Sequence, residues 1–247
     1  MENILICIQT PTISVSDLIS IANTVILIIT LWVMKKGYDE NTRLNRLQQA
    51  ENTIVKQIEF HSNLLKGISI DYALTGRGFG YPNAPTHAYG QDAFELLYEI
   101  LKDNYSTMPG NSYKNEFDAD AEERRIKDSF TQLYKVHGSL IGNYFKNLYL
   151  LVKYINDIKI KDFDRSYYID LVKSQLSKFE ILLLAYDCIW IQDKPKGQNF
   201  IELARDNNLL SALETEELIK SVSSVKHIDI FKDRYGISFQ QPIEFTN

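Results

Sequence analysis

Hydrophobic positions along this chain follow helical periods almost everywhere, and one stretch follows no period at all. Leu18 to Met34 (LISIANTVILIITLWVM) is a run of seventeen uncharged residues closed by Lys35-Lys36. At 1.5 Å per residue it is about 26 Å long, close to the roughly 30 Å hydrocarbon core of a bilayer, and Ile13 and Val15 bring it near full span. Its Ile, Leu and Val residues point all round the helix and the cationic stop is abrupt. A single transmembrane helix over 18–34 is expected, rather than a buried core helix. Only Glu2 and Asp17 are charged before the run, whereas Lys35, Lys36, Arg43 and Arg46 follow it. Basic flanks stay on the cytoplasmic side, which puts residues 1–17 outside and the long C-terminal part inside. A cleaved signal peptide needs positive charge before the run and a small-x-small site after it. Neither is present, so the helix is expected to remain as an anchor.

One stripe of this helix is not lipid-like. Ser16, Ser20, Asn23, Leu27, Thr30 and Met34 follow at spacings of 4, 3, 4, 3 and 4, a heptad-like seam. Polar side chains in hydrocarbon seek partners on a second helix. Ser20, Asn23 and Thr30 are thus candidates for self-association into a homo-oligomer, or for a polar lining. Ser and Thr can instead bond back to their own helix, a solution that leaves the Asn23 amide incompletely satisfied.

Beyond the anchor, strand signals are scarce and the expected fold class is all-α: an antiparallel helical bundle with long irregular loops, joined to the membrane helix. Positions 44, 47, 51, 54, 58, 61, 65 and 68 (Leu, Leu, Glu, Ile, Ile, His, Leu, Ile) make 35–68 an amphipathic juxtamembrane stalk. Residues 69–90, with four glycines and two prolines, read as loop, and 107–120 as a second break. Between them Phe94, Leu97, Tyr98 and Leu101 mark a helix over 91–103. Two long helices follow. The first carries Phe130, Leu133, His137, Leu140 or Ile141, Tyr144, Leu148, Leu151 and Ile155. Its Gly138 and Gly142 each cost about 1 kcal/mol against Ala, which suggests close approach of another backbone. The second carries Val172, Leu176, Phe179, Leu183, Tyr186 and Trp190 and ends at 194–197. Shorter helices fill 199–236, with Glu214, Glu216 and Glu217 near one N-terminus, and 237–247 is an extended tail. The helical domain is placed at 69–236.

Composition narrows the function. A net charge of −5 with interspersed signs gives no basic footprint for nucleic acid. Fifteen Tyr and twelve Phe point to aromatic-rich helix packing. Four scattered histidines have no metal-ligand spacing, so neither metal nor cofactor is implied. Cys7 and Cys188 fall on opposite sides of the membrane, which opposes a disulfide. Gly76-Arg77-Gly78-Phe79-Gly80 lacks the strand, lysine and helix of a phosphate loop. Glu116, Asp118, Asp120, Glu122 and Glu123 lack the glycine and distal Glu of a calcium loop, and read as a solvated loop entering a helix N-terminus.

The better constellation is polar and lies on the two long helices. Lys173, Ser177 and Glu180 stand at i, i+4 and i+7 on one face, and Asn143, Lys146 and Asn147 line a strip beside Tyr144. If the helices pack antiparallel, Glu180 meets Lys146 or Lys173 in a register-fixing buried ion pair; a ligand pocket between the helices is the alternative. His61 and His137 lie on apolar stripes, where a hydrogen-bonded core histidine is the ordinary role.

Taken in order, these segments resemble the phage abortive infection protein family, the AbiC-like proteins of bacteria. The resembling stretches are Phe60–Leu65 (FHSNLL), Gly90–Glu95 (GQDAFE), Asn143–Tyr149 (NYFKNLY) with Lys153-Tyr154-Ile155, and Gln175-Leu176-Ser177 followed by Glu180, Leu182–Leu184 and Tyr186. They span about residues 55 to 210. The family tends to carry His where this chain has Asn143, and Arg where it has Lys146 and Lys173. Lysine keeps the charge but loses the planar two-pronged donor. The resemblance implies a bacterial inner-membrane protein that stops phage propagation at the cost of the infected cell, with a phage protein or neighbouring defence protein as possible partner. It supplies no catalytic set. The enzymatic rival is a helical RNase of the HEPN type, which needs Arg four to six residues before His on one helix; His61, His87, His137 and His227 have none at that distance. The third class is a non-toxic, membrane-tethered scaffold or adaptor.

Overall fold

The computed structural model describes residues 14–71, 87–108, 119–195, 197–213, 215–221 and 226–236. The chain divides into two compact units, Met1–Ala50 and Glu51–Asn247. Helix α1, Val15–Gly67, contributes to both. It starts on a reciprocal cap, in which the Ser14 N–H bonds the Asp17 carboxylate at 3.0 Å and the Asp17 N–H reaches back to the Ser14 hydroxyl at 3.2 Å. Two orphan donors of the first turn are thereby met.

Within the first unit, α1 contains a stretch long and apolar enough to cross a membrane, and none of that stretch is buried. Every residue from Leu18 to Met34 is exposed. On the expected seam, the Thr30 hydroxyl bonds back to the Ile26 carbonyl at 2.8 Å; off it, the Thr24 hydroxyl does the same to the Ser20 carbonyl at 2.9 Å. Self-bonding thus satisfies both threonines.

The second unit takes in the rest of α1, so the stretch expected as a stalk is divided: from Glu51 on it belongs to the helical body, with Ile54 and His61 buried. The elements that follow are β1 (Ser69–Asp71), β2 (His87–Tyr89), α2 (Gly90–Thr107), α3 (Ala119–Asp157), α4 (Arg165–Gln175), α5 (Lys178–Ile191), α6 (Gly197–Asp206), a 3-10 turn (Thr215–Glu217) and α7 (His227–Tyr235). The glycine loop 76–80, the acids Glu116, Asp118 and Glu214, Cys7 and the expected tail 237–247 lie outside the described residues.

The body is helical, with one departure from an all-α reading. β1 and β2 pair antiparallel, Ile70 opposite Ala88, at the two ends of the expected loop 69–90. Ile68, Ile70 and Ala88 are buried, and Gly90 turns the chain from β2 into α2 at φ +57°. That left-handed conformation suits glycine. Three-residue strands are too short to leave a period in the sequence.

The long helix expected over 172–190 is a second departure. It is two helices, α4 and α5, separated at Leu176-Ser177. Ser177 caps α5 in a capping box: Ser177 Oγ accepts from the Glu180 N–H and the Glu180 carboxylate accepts from the Ser177 N–H. The sequence carries the signature, Ser-Lys-Phe-Glu ahead of an apolar run. A 4-and-3 alternation running through the break conceals it. Every residue of α5 from Glu180 to Ile189 is buried, so this helix is surrounded rather than striped. Helices α2, α3 and α6 pack on it. On α3 the expected stripe is the buried one, with Ile141 rather than Leu140 at the ambiguous position.

Candidate functional site

Five of the eight polar residues singled out in the sequence converge where α1, α3 and α5 meet. Tyr144 on α3 donates its phenolic hydrogen to Glu180 Oε1, and Glu180 Oε2 accepts the Ser177 N–H at 2.7 Å. Both carboxylate oxygens are thus occupied in a fully buried position. Burial pushes the Glu180 carboxyl up to about 7, against the pull of the Ser177 N–H. The His61 ring packs on Tyr144 with centroids 4.3 Å apart, and its Nδ1 donates to Asn147 Oδ1 at 3.0 Å. Burial lowers the His61 pKa and the Asn147 bond opposes this. Phe94 of α2 closes the group, 4.7 Å from Tyr144. On the α1 side, His61 Nε2 and Gln57 Oε1, one turn apart, are buried acceptors without a partner among the described residues.

The cluster ties three elements, with Asn147 and Ser177 half-buried at its edge. Glu180, Tyr144 and His61 are buried. The remaining three candidates stand apart. Asn143 and Lys146 are exposed on α3. Lys173 sits on α4, ahead of the break, and pairs with Asp170 at 2.6 Å. The expected common face for Lys173, Ser177 and Glu180 therefore does not exist, because the break turns the chain between them. Nor does Glu180 meet a lysine; a neutral phenol takes that place. His137 is buried, and burial lowers its pKa.

An open cavity of about 370 Å³ lies beside this cluster, between α3, α5 and the start of α6. Tyr134, Trp190, Phe145 and Phe200 supply aromatic wall, and Asp187, Lys146 and Lys194 supply charge. The Tyr134 and Trp190 rings lie 4.1 Å apart, tilted by 35°, and Lys194 Nζ lies over the Trp190 ring. Gly138 and Gly142 make room for Tyr134: a Cβ at 138 would stand 2.5 Å from its ring, and one at 142 would strike its hydroxyl. The glycines admit a side chain of their own helix, not another backbone. Close backbone approach occurs at Gly197, where a Cβ would collide with the Ile191 carbonyl.

A second buried network joins segments far apart in sequence. Glu122 Oε1 bonds His227 Nε2 at 2.7 Å and accepts from the Tyr105 hydroxyl, while His227 Nδ1 meets the Tyr186 hydroxyl at 2.9 Å. Tyr186 in turn accepts the Ile219 N–H at 2.9 Å. Burial raises the Glu122 pKa, but the His227 and Tyr105 bonds outweigh it and hold the carboxyl below its ordinary value. Glu123 is also buried and pairs with Arg234 at 2.6 Å and Lys127 at 2.8 Å. The expectation of a solvated acidic loop fails at both glutamates, because their partners arrive from α7, more than 100 residues later. Among the described residues no group of three or more His, Cys, Asp or Glu could hold a metal ion.

Tyr144, Asn147, Ser177 and Glu180 of the cluster, and most of the cavity lining, fall inside a stretch that matches a known family. Residues 136–218, about a third of the chain, match the model of the family described as "Putative phage abortive infection protein". The resembling segments Phe60–Leu65 and Gly90–Glu95 lie outside the matched residues. No curated protein and no solved structure matches the chain.

Proposed function

We propose that this chain is a membrane-anchored protein of bacterial antiphage defence acting by abortive infection. The observation that carries the reading is the family match over 136–218. The exposed apolar stretch of α1 supports the anchor. In this reading residues 18–34 cross the inner membrane with the N-terminus outside, and the helical body, an antiparallel bundle, lies in the cytoplasm. The body senses a phage-derived cue or binds a neighbouring defence protein. Anchors gathered through Ser20, Asn23 and Thr30 then disturb the membrane or localise the response. Asn23 is the residue on which the seam depends, since Thr30 is already met by Ile26. No catalytic residue is assigned.

The test is infection of cells carrying the intact chain or residues 37–247 alone, with phage yield, survival and membrane potential followed together. The intact chain is expected to cut phage yield while the infected cells die and lose potential, and the truncated chain to protect poorly. An unchanged burst from cells with the intact chain contradicts the reading. If an Asn23→Leu, Thr30→Leu double change leaves oligomer size and protection untouched, the seam is wrong and the anchor acts alone.

A further inference from the structure

The cavity between α3, α5 and α6 has a charge arrangement that neither the Tyr144 cluster nor the membrane reading uses. Asp187 lines it and is only 6% exposed. Among the described residues its carboxylate accepts no hydrogen bond and has no ion-pair partner; Lys194 acts on it only through its charge. Lys146 and Lys194 also line the cavity and are themselves exposed, which puts them at its rim. The site therefore reads as a carboxylate floor, aromatic walls and a cationic mouth.

Three ligand classes fail on one of these features. An aliphatic molecule leaves the Asp187 oxygens without a donor. An organic cation suits the aromatic walls and the floor, but must pass two ammonium groups at the mouth. A metal ion finds a single carboxylate and no group of three ligating side chains among the described residues. A molecule that satisfies all three features has a flat π-face, adjacent N–H donors on one edge and an anionic tail. Guanine presents such an edge, because its ring N–H and amino group lie side by side and match the two oxygens of a carboxylate.

We propose that this cavity binds a guanine nucleotide, with the base against the aromatic wall, its N–H edge on Asp187 and its phosphate on Lys146 and Lys194. A base stacked on Trp190 takes the place of the Lys194 ammonium, which then turns to the phosphate. The cavity volume of about 370 Å³ lies within the range of small-ligand sites. The assignment goes beyond the defence reading and does not depend on it.

The test is calorimetric titration of the full chain, purified in detergent, with GMP, AMP, guanosine, ribose 5-phosphate and tetramethylammonium. GMP is expected to bind at least tenfold tighter than AMP or guanosine, and ribose 5-phosphate and tetramethylammonium not detectably. In a Trp32→Phe background, GMP should quench the fluorescence of Trp190. Asp187→Asn should weaken GMP at least tenfold, with thermal unfolding as the check on folding. Lys146→Ala, an exposed change that does not threaten the fold, should weaken GMP severalfold and leave guanosine unaltered. Absence of GMP binding, equal binding of AMP or tetramethylammonium, or indifference of GMP to Lys146→Ala overturns the proposal. None of these results bears on phage yield, so the defence reading stands or falls separately.

Discussion

Tyr144 and Glu180 form a buried phenol–carboxyl pair between α3 and α5, and Glu180 spends its other oxygen on the helix cap at Ser177. One carboxyl group thus begins a helix and fastens it to its neighbour. It titrates near 7 in the folded chain against 4.5 for an ordinary glutamate. The folded state therefore holds a proton that the unfolded chain releases between those values. This contribution to stability is complete below pH 4.5 and is lost as pH rises to about 7. Asp187, also pushed up to about 7 by burial, adds a slope of the same sign. These two groups should lower the denaturant midpoint of the intact chain from pH 5 to pH 7.5, against the opposite slope of His61 and His137, whose pKa values burial holds below 6.5. Glu180→Gln, whose amide oxygen can still accept the Ser177 N–H while its NH2 donates to the Tyr144 hydroxyl oxygen, should flatten part of that fall; an unchanged slope would show that Glu180 is ionised throughout.

Ser177→Ala removes the hydroxyl that accepts the Glu180 N–H. Loss of such a cap costs about 1 kcal/mol. The loss should appear as a lower midpoint in equilibrium unfolding, and Ser177→Asp should recover most of it. A neutral Ser177→Ala would mean that α4 and α5 are held apart by packing alone.

Gly138→Ala drives a Cβ into the Tyr134 ring, which must then leave Trp190. Overpacking of this kind costs about 1–3 kcal/mol. In a Tyr134→Ala background the same change should instead stabilise by up to about 1 kcal/mol, since Ala is the better helix former. Thermal unfolding of the four members of this cycle measures the reversal of sign.

Glu122 and Asp120, two residues apart, should respond very differently to loss of the side chain. Glu122→Ala leaves the buried His227 Nε2 and the Tyr105 hydroxyl without their acceptor and is expected to cost about 1–3 kcal/mol for each donor left unmet. Asp120 is an exposed partner of Arg234, so Asp120→Ala should cost less than about 1 kcal/mol. Comparable losses at the two positions would contradict the buried network.

What was legible in the sequence was whatever a local period or composition could carry. The α3 stripe from Phe130 to Ile155 and the α2 face at Phe94, Leu97, Tyr98 and Leu101 are buried where the spacing puts them. The meeting of His61, Tyr144, Asn147, Ser177 and Glu180 was visible only as a list of residues, because the contacts cross 36 to 86 positions. The break at Ser177 had a signal, Ser-x-x-Glu, that an uninterrupted hydrophobic alternation overrode. No local pattern announces that His227 comes back to Glu122, or that Asp187 on a helix buried all round opens onto a cavity. The two short strands carry too few residues to declare a period.

Whether lipid surrounds the apolar segment of α1 is decided by alkaline extraction of membranes from cells expressing the chain with Leu18–Met34 intact or deleted. The intact chain should stay in the carbonate-washed pellet and the deleted one should leave it. Recovery of the intact chain in the supernatant would mean that protein, not a bilayer, covers those side chains, and the proposed anchor would be gone.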